Sequence, residues 1–171
     1  MAGDDPLKAG RAWVLALGLA LGTAQAEEAP LTVSVPRLTL DAALTVARAA
    51  LDACREAGVQ VAVTVVDRGG HPQVVLRDVL APDLTLAISR QKAYTAMTFA
   101  RATSQLEGRF PGPYSVPKVD GVIIAAGGLP IAAGGRLYGG VGVSGAPSGE
   151  LDERCARAGV DAVADELEMM D

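Results

Sequence analysis

Histidine and cysteine are scarce in this chain: one His, at position 71, and two Cys, at 54 and 155, among 171 residues. So few ligands, so widely spaced, exclude the clustered His and Cys patterns of a zinc site. Aromatic residues make up only 4% of the chain. Basic residues are also in deficit, 15 Lys and Arg against 20 Asp and Glu, for a net charge of -5. That sign opposes the phosphate backbone, so no nucleic-acid partner is expected.

Long apolar runs are missing too. The longest, from Ala12 to Gly22, falls well short of the roughly 20 residues a membrane helix needs. It follows Lys8 and Arg11 and precedes Ala24-Gln25-Ala26. That order is the pattern of an export signal cut after Ala26. The expected layout is a signal peptide over 1–26, an extended lead-in over 27–37 and a single domain over 38–171. The mature protein is then periplasmic or secreted, with no membrane span.

What the chain does have is hydrophobic residues, 50% of the total, and 20 glycines. The apolar fraction argues for a packed domain rather than disorder. Pro30 and Pro36 keep the lead-in extended, with Val33 and Val35 able to pair as a strand edge. Thr39 is placed to cap a helix whose stripe is Leu40, Leu44, Ala47, Leu51 and Cys54, ending near Gly58. Residues 60–67 alternate as a buried strand, Asp67-Arg68-Gly69-Gly70 is a hairpin turn, and 73–77 returns as a second strand. His71 opens that return.

A long helix is expected from Asp83, as cap, to about Leu106. On it Ile88, Lys92, Thr95 and Phe99 share one face. A Lys and a Thr inside an apolar stripe admit two readings. Either Lys92 snorkels or pairs with a carboxylate while Thr95 bonds to its own helix, or both face a ligand. The proline-rich segment 107–121, with Phe110 and Tyr114, reads as a pocket wall, a lid or a plain surface excursion.

Residues 122–126 then read as a buried strand, Gly127-Gly128-Leu129-Pro130 as a turn and 131–133 as a short strand. The glycine-rich stretch 137–145 is the last strand, with Leu137, Gly139, Val141 and Val143 on one face and Tyr138, Gly140, Gly142 and Ser144 on the other. The second face is nearly bare, so a helix, a neighbouring subunit or a flat ligand is expected close to the backbone. Ser148 caps a closing helix, and Glu150, Asp152 and Glu153 suit its positive end.

Gly140, Gly142 and Gly145 spell GxGxxG, but the strand-turn-helix-strand context of a dinucleotide site is missing. Ser144, His71 and Asp152 lack the nucleophile elbow of a hydrolase. Cys54 and Cys155, on the first and last helices, are either bonded or two packed thiols.

Taken in order, VAVTVVDRGGHPQVVLRD, ISRQKAYTA, GGLPI and GGVGVSGAPSGELDERCARAG resemble the GlcG/HbpS-like family, also called the haem-degrading or DUF336 family, across residues 38 to 168. The resemblance implies an α/β (α+β) domain, a profilin-like antiparallel sheet of about five strands flanked by helices. It also implies a homo-oligomer that binds haem, with a corrinoid as the alternative ligand. The family's helix motif falls on Lys92, Ala93, Thr95 and Ala96, and its glycine turn on Gly127 and Gly128. Thr95 and His71 are then candidate contacts to the haem iron, and Tyr94 and Tyr114 candidate phenolate donors. Lys92 or Arg90 would meet a propionate. No CxxCH occurs, which excludes covalent c-type attachment. The function implied is an exported tetrapyrrole-binding protein for scavenging, buffering or redox sensing. The alternatives are haem degradation, for which no acid-base pair is identifiable, and an accessory module of an exported small-metabolite dehydrogenase.

Overall fold

The computed structural model describes residues 29–112 and 115–170. The expected signal peptide and Tyr114 lie outside them. Residues 29–33 are described by themselves and carry no helix or strand, while the folded unit begins at Ser34. Its elements are α1 (Leu40–Glu56), β1 (Ala62–Asp67), β2 (Pro72–Arg77), α2 (Leu84–Phe99), β3 (Gly128–Ala133), β4 (Arg136–Ser144) and α3 (Gly149–Glu168). The sheet is antiparallel throughout, in the order β2-β1-β4-β3.

Two helices, α1 and α3, cover one face of the sheet. Val61, Val63, Val65, Val141 and Val143 meet Ala43, Val46, Ala47, Ala50, Ala156, Val160 and Val163 there. Every residue of β1 is buried, because β1 is interior to the sheet and covered on both sides. Thr39 caps α1 by accepting from Ala42 N at 3.2 Å, and Ser148 caps α3 by accepting from Leu151 N at 3.3 Å. Each supplies an acceptor to an otherwise orphaned helical N–H. The stripe of α1 is rotated slightly from the sequence expectation: Leu40 is exposed, and Ala43, Val46 and Ala50 are buried in its place.

The opposite face carries α2, and the glycines of β4 make its approach possible. A Cβ built on Gly140 would lie 2.5 Å from the Ala93 carbonyl oxygen. One on Gly142 would collide with the Ser89 carbonyl. The bare face is therefore filled by a helix of the same chain. Beneath α2, Thr64 Oγ1 and Ser89 Oγ lie 2.9 Å apart, a hydrogen bond that satisfies both buried hydroxyls.

Five local expectations are corrected. The sheet has four strands, because residues 122–126 do not join it. Two of their amides find side-chain acceptors instead: Ile123 N donates to Thr95 Oγ1 at 3.0 Å and Ala126 N to Glu107 Oε1 at 3.1 Å. The described part of the lead-in, residues 29–37, forms no strand. Gly128 to Pro130 belong to β3 rather than to a turn. A bulge in β4, where Ile131 faces Gly139 but Ala132 faces Leu137, reverses the alternation. Tyr138 consequently joins the α1/α3 core, and Leu137 packs on the α2 side.

The fifth correction concerns α2, which stops at Phe99 rather than near Leu106, and Asp83 makes no side-chain cap bond. Ala100 ends the helix in the left-handed region, φ 48° and ψ 41°, its N–H reaching the Ala96 and Met97 carbonyls. Glycine normally fills that role, because a Cβ costs about 1–2 kcal/mol there. Ala100→Gly is expected to raise stability by about 0.5–1 kcal/mol, once glycine's larger unfolded-state entropy is subtracted. The urea midpoint checks it, moving upward at constant m.

Cys54 and Cys155 are joined, tying α1 to α3 with Cα atoms 5.4 Å apart. The thiol alternative is thereby settled in favour of the bond.

Candidate functional site

A cleft of ≈ 510 Å³ opens where the β1–β2 turn, α2 and the end of the proline-rich segment meet. Its floor is the turn Gly69-Gly70-His71. Ala87, Arg90, Gln91 and Tyr94 form one wall, and Asp120 and Gly121 the other.

The turn is held by Asp67, whose Oδ1 accepts from Gly69 N at 2.8 Å and His71 N at 3.0 Å. Arg37 Nη1 lies 3.3 Å from its Oδ2. Burial alone would push this carboxyl up, but the His71 and Gly69 amides, Arg37 and His71 together hold it below the ordinary carboxylate range. A lowered folded value means that Asp67 adds stability to the hairpin above the ordinary range. That contribution fades as pH falls through the lowered value. His71 itself projects outward, 81% exposed, with Nδ1 3.5 Å from Asp67 Oδ1.

Gly70 is buried with φ 81°, and a Cβ there would come within 2.6 Å of the Tyr94 ring. The ring is thus seated on the turn, with Gly121 also beside it, where a Cβ would sit at 3.7 Å. Glycine's missing side chain fixes where the phenol stands. Arg90 is exposed and, among the described residues, has no hydrogen-bond or ion-pair partner.

Three of the residues named from the sequence, His71, Arg90 and Tyr94, therefore converge. Tyr114 lies outside the described residues, and Lys92, Thr95, Gly127 and Gly128 do not line the cleft. Lys92 is 4% exposed, its Nζ donating to Asp152 Oδ2 at 2.7 Å and to the Val143 carbonyl at 3.0 Å. Its ammonium is engaged inside the protein and does not line the cleft. Gly127 makes room for that pair, since a Cβ there would stand 2.7 Å from both Lys92 Nζ and Asp152 Cβ. Gly128 lies against the Lys92 backbone. Thr95 is fully buried, and through Ile123 N it fixes the segment directly behind Gly121.

Sequence reasoning missed Asp120, although it singled out the loop as a possible wall. It also took Asp152 for a helix-end charge, whereas the carboxylate is the partner of Lys92 and accepts from Ala146 N at 3.0 Å. Burial pushes the Asp152 carboxyl above its ordinary range, with Lys92 opposing. A second cleft of ≈ 350 Å³ lies by Ser104, Glu107, Glu153, Arg154 and Arg157. There Glu153 Oε1 accepts from Ser104 Oγ at 2.9 Å, and Glu107 Oε1 holds the Ala126 amide. Among the described residues, no group of three or more His, Cys, Asp or Glu side chains forms a metal site. No helix among them is long and apolar enough to cross a membrane.

Comparison with known proteins gives a consistent assignment. Residues 38–161 match the family model described as haem degrading protein HbpS-like. A 15.0 kDa protein of the dhaT-dhaS intergenic region of Citrobacter freundii is 31% identical over 136 residues, 77% of this chain and 95% of that one. The crystal structure of a doubly substituted HbpS from Streptomyces reticuli superposes with TM-score 0.75 at 38% identity, covering 81% of this chain and 95% of that one. A PduOC–haem complex superposes with TM-score 0.67 at 28% identity, covering 74% and 94%.

Proposed function

The chain belongs to the HbpS-like family, and on that premise we propose that it is an exported protein that binds haem reversibly in the cleft beside Tyr94. One observation carries the reading: a cationic Arg90 without a side-chain partner among the described residues, the Tyr94 phenol and the His71 imidazole all border one cleft of ≈ 510 Å³. The cleft suits a flat macrocycle. Its floor is glycine, so a ring edge can approach the backbone of the β1–β2 turn. Arg90 offers a fork of N–H donors to a propionate, and Tyr94 and His71 offer oxygen and nitrogen donors to iron. Bound haem would supply the redox chemistry of its iron. The chain's part is to orient the ring, pair the carboxylate and hold the phenol on Gly70. The PduOC relative, crystallised with haem, supports this choice of ligand. Scavenging, buffering and redox sensing all require such binding and no turnover.

Thr95, on this reading, acts from behind the wall by holding Ile123, and Lys92 acts by holding the fold together. Export is supported by the Cys54–Cys155 bond, because structural disulfides persist in oxidising compartments. Self-association is supported by Val79, Leu80 and Leu84, large apolar side chains close in sequence and all exposed.

Titration of the purified protein with hemin tests the proposal. A saturable Soret shift is expected, and Arg90→Gln should weaken binding about 10-fold, the loss of one charge-assisted contact. Tyr94→Phe or His71→Ala should alter the spectrum of the bound form, according to which one supplies the donor. A parent protein that shows neither shift nor saturation would end the haem reading. Bound haem that is bleached on addition of reductant and oxygen would turn the reading from binding to degradation.

A further inference from the structure

The cleft walls carry opposite charges that do not meet. Arg90 is the one Arg or Lys among the lining residues and Asp120 the one Asp or Glu. Among the described residues neither has a hydrogen-bond or ion-pair partner, and both are exposed. Arg90 stands on α2, and Asp120 on the facing wall next to Gly121. The nearest further cation in that wall segment, Lys118, does not line the cleft.

Haem carries two propionates on one edge. A site that bound both at close range would be expected to present a cation to each, and this cleft presents one cation and one carboxylate. Here one propionate finds Arg90, and a second directed into the same cleft meets a carboxylate. We infer that Asp120 is a specificity-determining residue: the cleft recognises a single carboxylate of the tetrapyrrole through Arg90 and rejects a second, which must point to solvent. The preferred ligand class is a macrocycle that presents one acid group to the protein. This rests on haem binding in this cleft, and the experiment separates the two.

The parent protein and the Asp120→Asn and Arg90→Gln variants are titrated with hemin, hemin monomethyl ester and hemin dimethyl ester. For the parent, the monoester should bind at least as tightly as hemin and the diester about 10-fold more weakly. Asp120→Asn should tighten hemin binding about 3- to 10-fold and remove the advantage of the monoester, with the gain shrinking at high salt. Asp120 makes no hydrogen bond among the described residues, so an unchanged melting temperature certifies the variant. A monoester as weak as the diester would show that both propionates are recognised and would overturn the inference. So would an Asp120→Asn variant that binds hemin as the parent does. If none of the three compounds binds the parent, the haem reading itself falls and takes this inference with it.

Discussion

Lys92→Met lowers the stability of the fold by about 3–5 kcal/mol at neutral pH, because it strands the Asp152 carboxylate in the interior. The parent pair is close, 2.7 Å, and both side chains are 5% exposed. The ammonium also satisfies the Val143 carbonyl at 3.0 Å, so one side chain ties α2 to the end of β4 and to the first turn of α3. With Lys92 gone, Asp152 keeps only backbone donors such as Ala146 N. Breaking one partner of a buried pair costs far more than the pair is worth against an apolar replacement.

The pH dependence of that variant has a definite sign. Burial already pushes the Asp152 carboxyl up in the parent, and removing the opposing Lys92 can only raise it further. A folded value raised above the unfolded one means that stability is fully present below the unfolded value and is lost as pH rises through the folded one. The deficit of Lys92→Met against the parent should therefore be smallest in mild acid and grow toward neutrality. Lys92→Met/Asp152→Asn should recover part of the loss, since the amide oxygen still accepts from Ala146. Urea unfolding of parent, single and double variants across pH checks all three statements. A single variant as stable as the parent at neutral pH would remove the pair from the account of the fold.

The second large effect is that of the disulfide. Cys54→Ala/Cys155→Ala is expected to lose about 2–5 kcal/mol, the chain-entropy value for a loop near 100 residues lying at the upper end. The bonded residues are 101 apart in sequence and join α1 to α3, so the closed loop contains the whole sheet. Both cysteines are buried, at 0% and 2% exposure. A reductant should consequently act only on unfolded chains: the bond resists dithiothreitol in buffer and yields to it in denaturant. Thiol counting under the two conditions reads this out, and rapid reduction of the native protein would contradict it.

How much of the structure was legible in the sequence depended on the range of the interactions involved. Local signals read well. Thr39 and Ser148 cap their helices through side chains three residues from the amides they accept, and the Val alternation of β1 needs only its own period. The bare glycine face of β4 correctly demanded a close neighbour. It could not say which of three candidates, because α2 reaches it from a distant part of the chain.

Residues 122–126 misled for the opposite reason. An apolar Val-Ile-Ile-Ala-Ala run looks like a strand, yet the amides of Ile123 and Ala126 are satisfied by Thr95 and Glu107, side chains contributed from outside the segment. The bulge at Tyr138 inserts one residue into β4 and inverts the facing of its neighbours, with nothing in Arg-Leu-Tyr-Gly to announce it. Ala100 ends α2 where no glycine marks a stop.

The site divided along the same line. His71 and Tyr94 stood out as scarce donor types in a chain of one His and 4% aromatics, and Arg90 as an alternative to Lys92. What remained hidden was that Lys92 has an internal partner 60 residues away. That partner separates the two cations of the helix motif. Arg90 is left to the cleft and Lys92 to the core.

The central claim, that the macrocycle lies between the β1–β2 turn and α2, is tested most directly by amide NMR spectra recorded with ferric hemin, whose iron broadens nearby signals. The account predicts selective loss of the Gly69, Gly70, His71, Tyr94 and Gly121 signals, with Arg136 and Glu153 unaffected. Broadening centred on Glu153 and Arg157, with Gly70 and Gly121 left sharp, would contradict it and move the ligand to the second cleft.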